Sequence, residues 1–172
     1  MKGLLFIPAI TLITIFSSCK KDSSSSSTTS GTITADIDGA PVSFNFGDNA
    51  ALDTINGEYT IAIAGFQSGV NVTSNEIGIG VGGAYPITLG TYTDTSSVTD
   101  YSTISYSIPS DNSGYAAVGI APFYGTVTIT SLSATQVQGT FSGTLGLGSG
   151  SSSTIPYHTL TNGKFNVKIT HL

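Results

Sequence analysis

The chain has no tryptophan, no arginine and a single cysteine, with only two histidines in 172 residues. Each shortage excludes something. Five lysines face ten acidic residues, for a formal charge of −5, and no cluster of basic residues forms the footprint of a nucleic-acid binder. Charged residues are 9% of the chain while hydrophobic ones are 39%, too apolar a balance for disorder driven by charge. Leu, Glu and Lys are too scarce for a helical bundle, and helical periodicity is missing. The lone cysteine has no partner in the chain, an oddity in a secreted protein unless its position explains it. The longest apolar run, residues 4–16, falls short of the roughly 20 residues that a membrane helix needs.

What is present begins at the N-terminus. Lys2, the apolar run and Phe16-Ser17-Ser18-Cys19 have the layout of a secretory signal, with small residues before the cut. Ser17-Ser18-Cys19 resembles the lipobox of bacterial lipoproteins, with Phe16 in place of the usual Leu. The resemblance implies that residues 1–18 are removed. It also implies that Cys19 becomes the first mature residue, carries a diacylglycerol and is N-acylated. Two or more acyl chains anchor stably where one is marginal. The alternative is an ordinary cleaved signal beside an incidental cysteine.

Lys20-Lys21-Asp22 follows, and the two lysines suit anionic headgroups. Residues 23–30 are all Ser or Thr, cannot bury a core, and are expected to form a flexible tether. Residues 19–30 are thus the lipidated cysteine and tether, and 31–172 the folded domain. That domain is long enough for one core.

Within it the apolar pattern has period two, and Thr, Ile, Val, Tyr and Phe fill the runs, as strands prefer. Ile33, Ala35 and Ile37 begin the series, and Phe44 and Phe46 continue it. Ile77/Ile79/Val81, Ile104/Tyr106/Ile108, Val127/Ile129, Val137/Phe141/Leu145 and Phe165/Val167/Ile169 follow. Tyr59 to Phe66 is apolar on both faces, as in a central strand. Turn signals separate the runs: Asp38-Gly39, Asn56-Gly57, Gly82-Gly83, residues 111–114 and Asn162-Gly163. Eight to ten short strands at this spacing predict an all-β fold. A single antiparallel β-sandwich is expected, with a closed or partly open β-barrel as the alternative. Residues 146–153 read as a low-complexity loop.

The chain also resembles small Bacteroidota lipoproteins whose β domains have no assigned function. The likeness lies in Ser17-Ser18-Cys19-Lys20-Lys21-Asp22, Gly125–Ser131, Val137–Gly143 and Asn162–Ile169. It implies an envelope lipoprotein with a C-terminal β domain, and it carries no catalytic residue.

Catalytic signals are thin. His158 reads as a loop residue and His171 lies next to the end. Gly146–Gly150 holds its Ser in the wrong place for a nucleophile elbow. No catalytic residue is assigned and no cofactor is expected. Gly78-x-Gly-x-Gly-Gly83 fits a dinucleotide fingerprint only formally, because no helix follows it. The better reading is a strand whose Gly78, Gly80 and Gly82 face lacks side chains, so that a neighbouring segment or a flat ligand comes close. With Tyr85 and Tyr92 as aromatic surfaces, these residues form the speculative ligand site. Calcium would draw on Asp36 with Asp38, Asp48 with Asp53, or Asp94 with Asp100; turn-forming Asp is the simpler reading, and no metal site is assigned. Hydroxyl rows Thr126/Thr128/Thr130, Thr140/Ser142/Thr144 and Thr103/Ser105/Ser107 are expected on outward faces.

The expectation is therefore a non-enzymatic protein, anchored to the outer membrane by lipid on its periplasmic or surface side. It would bind a protein, glycan or small apolar ligand. The rivals are a structural or surface-coat role and, behind it, a hydrolase built on His158.

Overall fold

The computed structural model describes residues 31–94, 99–117, 119–147 and 157–171. The signal, Cys19, the tether and most of the 146–153 segment lie outside these residues.

The strands are β1 (Thr32–Ile37), β2 (Ala40–Ser43), β3 (Phe46–Ile55), β4 (Glu58–Phe66), β5 (Glu76–Gly83) and β6 (Gly90–Thr93). Then come β7 (Asp100–Ile108), β8 (Ser113–Ala116), β9 (Gly125–Leu132), β10 (Gln136–Leu147) and β11 (Tyr157–His171). A 3-10 turn, Pro109–Asp111, joins β7 to β8. The fold is all-β, in one mixed sheet of 11 strands.

The sheet folds into two layers. One holds β2-β1-β11-β10-β9-β6 and the other β3-β4-β5-β7-β8. β10 and β11 belong to the first layer along most of their length. At its end β11 crosses to β3, and at its end β10 crosses to β8. The layers are therefore stitched at two corners of a sandwich. The β11–β3 pairing is parallel, through Ile169↔Ala50 and Thr170↔Ala51, which corrects the purely antiparallel expectation. No short hairpin joins these strands, so nothing forces them to run in opposite directions.

Alternation makes the core. Ile33, Phe44, Ile61, Ile77, Ile104, Ile129, Leu145, Leu160, Val127, Val137 and Val167 are fully buried between the layers. Each such side chain contributes about 1.5–3 kcal/mol through burial. Glycines let the layers touch. A Cβ at Gly125 would lie 3.1 Å from Ile104 of β7, and one at Gly65 would lie 2.9 Å from Ile33 of β1. As the apolar run suggested, β4 is internal, between β3 and β5.

Asp38-Gly39 and Asn56-Gly57 form two-residue hairpin turns with φ positive at both positions. Asn162-Gly163 does not turn the chain. It lies within the 15-residue β11, where Asn162 takes φ 53° and β11 gains one residue against both β10 and β1. The same left-handed preference that makes Asn-Gly a turn here makes a bulge, because both neighbouring strands continue past it. Gly82 and Gly83 likewise stay in β5, paired with Tyr101 and Asp100. Phe46 is half exposed instead of joining Phe44 in the core. The register slips between Phe46 and Asn49, and Gly47 has φ 61°, so the alternation is broken there.

Candidate functional site

The first layer turns a hydroxyl-rich face outward. Register places Thr91, Thr128, Thr140, Lys164, Thr34 and Ser43 side by side across six strands. Thr91 and Thr128 share a hydrogen bond of 3.0 Å between their hydroxyls. Thr93, Thr126 and Ser142 make a second row. Between the rows lies a shallow depression of about 330 Å3, lined by Thr126, Thr128, Thr140, Ser142, Asn162 and Lys164, with Phe141 and Gly163 completing it. Hydroxyls both donate and accept, the amide of Asn162 does the same at fixed geometry, and Lys164 only donates. Such a lining matches a ligand rich in hydroxyl groups.

The bulge shapes this face. It adds a residue opposite Ser142, and the Asn162 side chain donates to Asp36 Oδ2 at 2.7 Å. The expected rows of β9 and β10 are thus adjacent. The Thr103/Ser105/Ser107 row lies on the other layer, outside this site.

The glycine stripe of β5 is on that second layer, and β7 has filled it. Gly78, Gly80 and Gly82 stand opposite Ser105, Thr103 and Tyr101. A Cβ at these positions would come 2.6 Å from Ser105 Oγ, 2.5 Å from Thr103 Oγ1 and 2.5 Å from the Tyr101 ring. The neighbouring strand occupies the space a flat ligand would need. Tyr101 leans over the stripe beside Glu58; burial, then the charge and hydrogen bond of Glu58, push its phenol above the ordinary value. Tyr85 is exposed in the segment after β5. Tyr92 is buried in β6, where its hydroxyl donates to Thr88 O at 2.9 Å and accepts from Thr88 N at 3.0 Å. Those two bonds give Tyr92 a role in holding the segment before β6.

His158 is in β11, not in a loop. Its Nδ1 lies 2.6 Å from Asp38 Oδ2, while Asp38 Oδ1 accepts from Thr159 N at 2.9 Å. Burial raises the Asp38 pKa, but the Thr159 N–H and the His158 hydrogen bond and charge outweigh it and leave the carboxyl below the usual range. An ionised carboxylate only accepts, so the proton sits on Nδ1. The imidazole packs edge-on against Tyr115 and Tyr106, at centroid distances of 4.4 and 5.5 Å. A triad would need a serine on the other nitrogen. Among the described residues no serine hydroxyl bonds His158. The pair instead latches the tip of the β1–β2 hairpin to the start of β11.

Acidic side chains disperse. Asp36 meets Asn162, Asp38 meets His158, and Asp53 accepts from Thr54 N. Among the described residues no three His, Cys, Asp or Glu side chains gather. Asp48 is buried with neither carboxylate oxygen hydrogen bonded, and burial raises its pKa, opposed by its own N–H.

Lys164 and Asn162 were not foreseen as site residues. Asn162-Gly163 inside an alternating run was the available signal. Asp38 and His158 are 120 residues apart, and nothing local announces their contact.

No protein-family model matches the chain, no curated protein matches it in sequence, and no solved structure matches its fold.

Proposed function

We propose that the protein is a lipid-anchored, non-enzymatic module of the bacterial cell envelope. In this reading it is held at the outer membrane through Cys19, and it binds a glycan on the outer face of its first layer. The observation that carries the binding assignment is the depression lined by Thr126, Thr128, Thr140, Ser142, Asn162 and Lys164. Alternating donors and acceptors on a rigid sheet suit a polyol, and the hydroxyls lose little rotamer entropy on contact. Between the layers, Phe44, Ile61, Ile104 and Val127 belong to one buried apolar cluster, which favours side-chain packing there over a small apolar ligand. The likeness to Bacteroidota lipoproteins supports the envelope assignment, and the lipobox residues support the anchor.

Titration of a panel of soluble polysaccharides into the protein tests the binding reading. Thr140→Val and Lys164→Ala should each weaken binding by about tenfold, which corresponds to about 1.4 kcal/mol. A glycan that binds both variants as tightly as the native protein would remove the site. Labelling cells with an alkyne fatty acid tests the anchor: Cys19→Ala should take up no label.

The second reading is a structural or surface-coat role. The same buried cluster favours it, and a panel without any binder would leave it standing.

A further inference from the structure

Apolar side chains are exposed together at one corner of the second layer. Phe46 is 50% exposed, Val70 53% and Val72 89%. Phe46 is paired with Phe66 across β3–β4. Val70 packs against the position a Gly47 Cβ would occupy, and Phe66 lies 3.6 Å from it. The segment carrying Val70 and Val72 is braced and uncharged. Ser68 N and Oγ bond to Ser74 Oγ, Thr73 bonds to Asn71 Oδ1, and Asn75 Nδ2 donates to Gln67 Oε1 at 2.9 Å. The brace holds Val72 out in solvent beside Val70, so that the apolar surface is presented on a fixed segment.

The place where the chain enters the domain identifies the contact. Gly31, the first described residue, adjoins Asp48: a Cβ on Gly31 would lie 2.7 Å from Asp48 Oδ2. Asp48 follows Gly47, the residue against which Val70 packs. The chain therefore enters at the corner that carries Phe46, Val70 and Val72. Only 12 positions separate Cys19 from Gly31. Such a stretch spans about 19 Å root-mean-square and at most about 40 Å. A lipid on Cys19 would hold this corner nearer the bilayer than the far end of the sandwich.

We propose that Phe46, Val70 and Val72 form a membrane-contact tip that seats the domain on the lipid surface and sets its orientation. This rests on the lipid-anchor reading. Phe46, Val70 and Val72 carry no charge, and neither does the 67–75 segment that holds the two valines. Its contact is apolar and should persist at high salt.

The absence of tryptophan supplies the test. Val72→Trp places one reporter at the tip, and Thr54→Trp places one at the far end of β3, beside the Asn56-Gly57 turn. Each lipidated protein is reconstituted into phosphatidylcholine vesicles with and without bromine-labelled acyl chains. Val72→Trp emission should shift to the blue and be quenched by the brominated chains, at low and high salt alike. Thr54→Trp emission should do neither. Phe46→Trp repeats the measurement from the other side of the patch, and Val72→Asp in that background should reduce its quenching. Equal, unquenched emission from both ends overturns the proposal. A blue shift that grows with protein concentration in the absence of lipid also overturns it, since the patch would then meet a second copy. If native Cys19 carries no lipid, the protein will not float with vesicles. Coupling this sole cysteine to a maleimide lipid then supplies the anchor, so the tip is tested separately from the lipidation.

Discussion

The two outer faces of the sandwich follow opposite rules. On the first layer, β9, β10, β11 and β1 present Thr128, Thr140, Lys164 and Thr34 in one row, each free to point outward. On the second, β3, β4, β5 and β7 present Ala51, Ala62, Gly80 and Thr103 in the corresponding row. There the side chains of one strand lie over the bare backbone of the next. The acids differ too: Asp36 and Asp38 of the first layer have partners, while Asp48 of the second has none. One face keeps its row of side chains uncovered, and the other lays its side chains over its own glycines. A stripe of glycine in a sequence is thus no sign of an open surface until the register is known.

The strongest way to break the contrast is to add bulk beneath each face. Gly163→Val would push a Cβ into the Phe141 carbonyl and ring, where backbone cannot yield. It should cost about 3 kcal/mol or more in a urea melt. Gly80→Ala meets only the Thr103 hydroxyl, a side-chain end that can rotate, and should cost about 1 kcal/mol or less. Equal losses would mean that the glycine face is as rigid as the bulge.

A smaller effect separates the acids. Asp48→Asn replaces a buried, unpartnered carboxylate and should stabilise the fold by about 1 kcal/mol at neutral pH. Burial raises the pKa values of Asp48, Glu76 and Asp94, so the folded form binds their protons more tightly. Thermal stability should therefore rise as pH falls through these raised values, and level off below the ordinary carboxylate range. The lowered Asp38 has the opposite sign. Its contribution is present above the ordinary value and is lost as pH falls through the depressed one. Melting temperature against pH should climb and then drop, and Asp48→Asn should shrink the climb and leave the drop.

The smallest effect is on the hydroxyl face itself. Thr140→Val and Lys164→Ala should change stability by no more than about 0.5 kcal/mol. Substantial unfolding by either would show that the face serves the fold and not a ligand.

Much of this architecture is legible in the sequence. Alternation located the inward residues of β1, β5, β7, β9, β10 and β11, and Asp38-Gly39 and Asn56-Gly57 announced their hairpins, because both signals are local. Asn162-Gly163 misled, since a left-handed residue suits a turn and a bulge equally and only the flanking strands decide. The site was less legible. Thr140 lies beside Lys164, and Asp38 beside His158, through pairings between distant segments. Gly78 and Tyr92, placed together as a ligand site, fall on different layers for the same reason.

The bulged strand β11 has a consequence in time as well as space. It touches β1, β3 and β10, and the ten other strands are all made before it. Until it arrives, β1 has only β2 beside it and the corner at β3 stays open. Contacts spanning more than a hundred residues also make for slow folding. The newly made polypeptide is thus kept from closing early, and the sandwich is sealed on that side only when its last strand is in place.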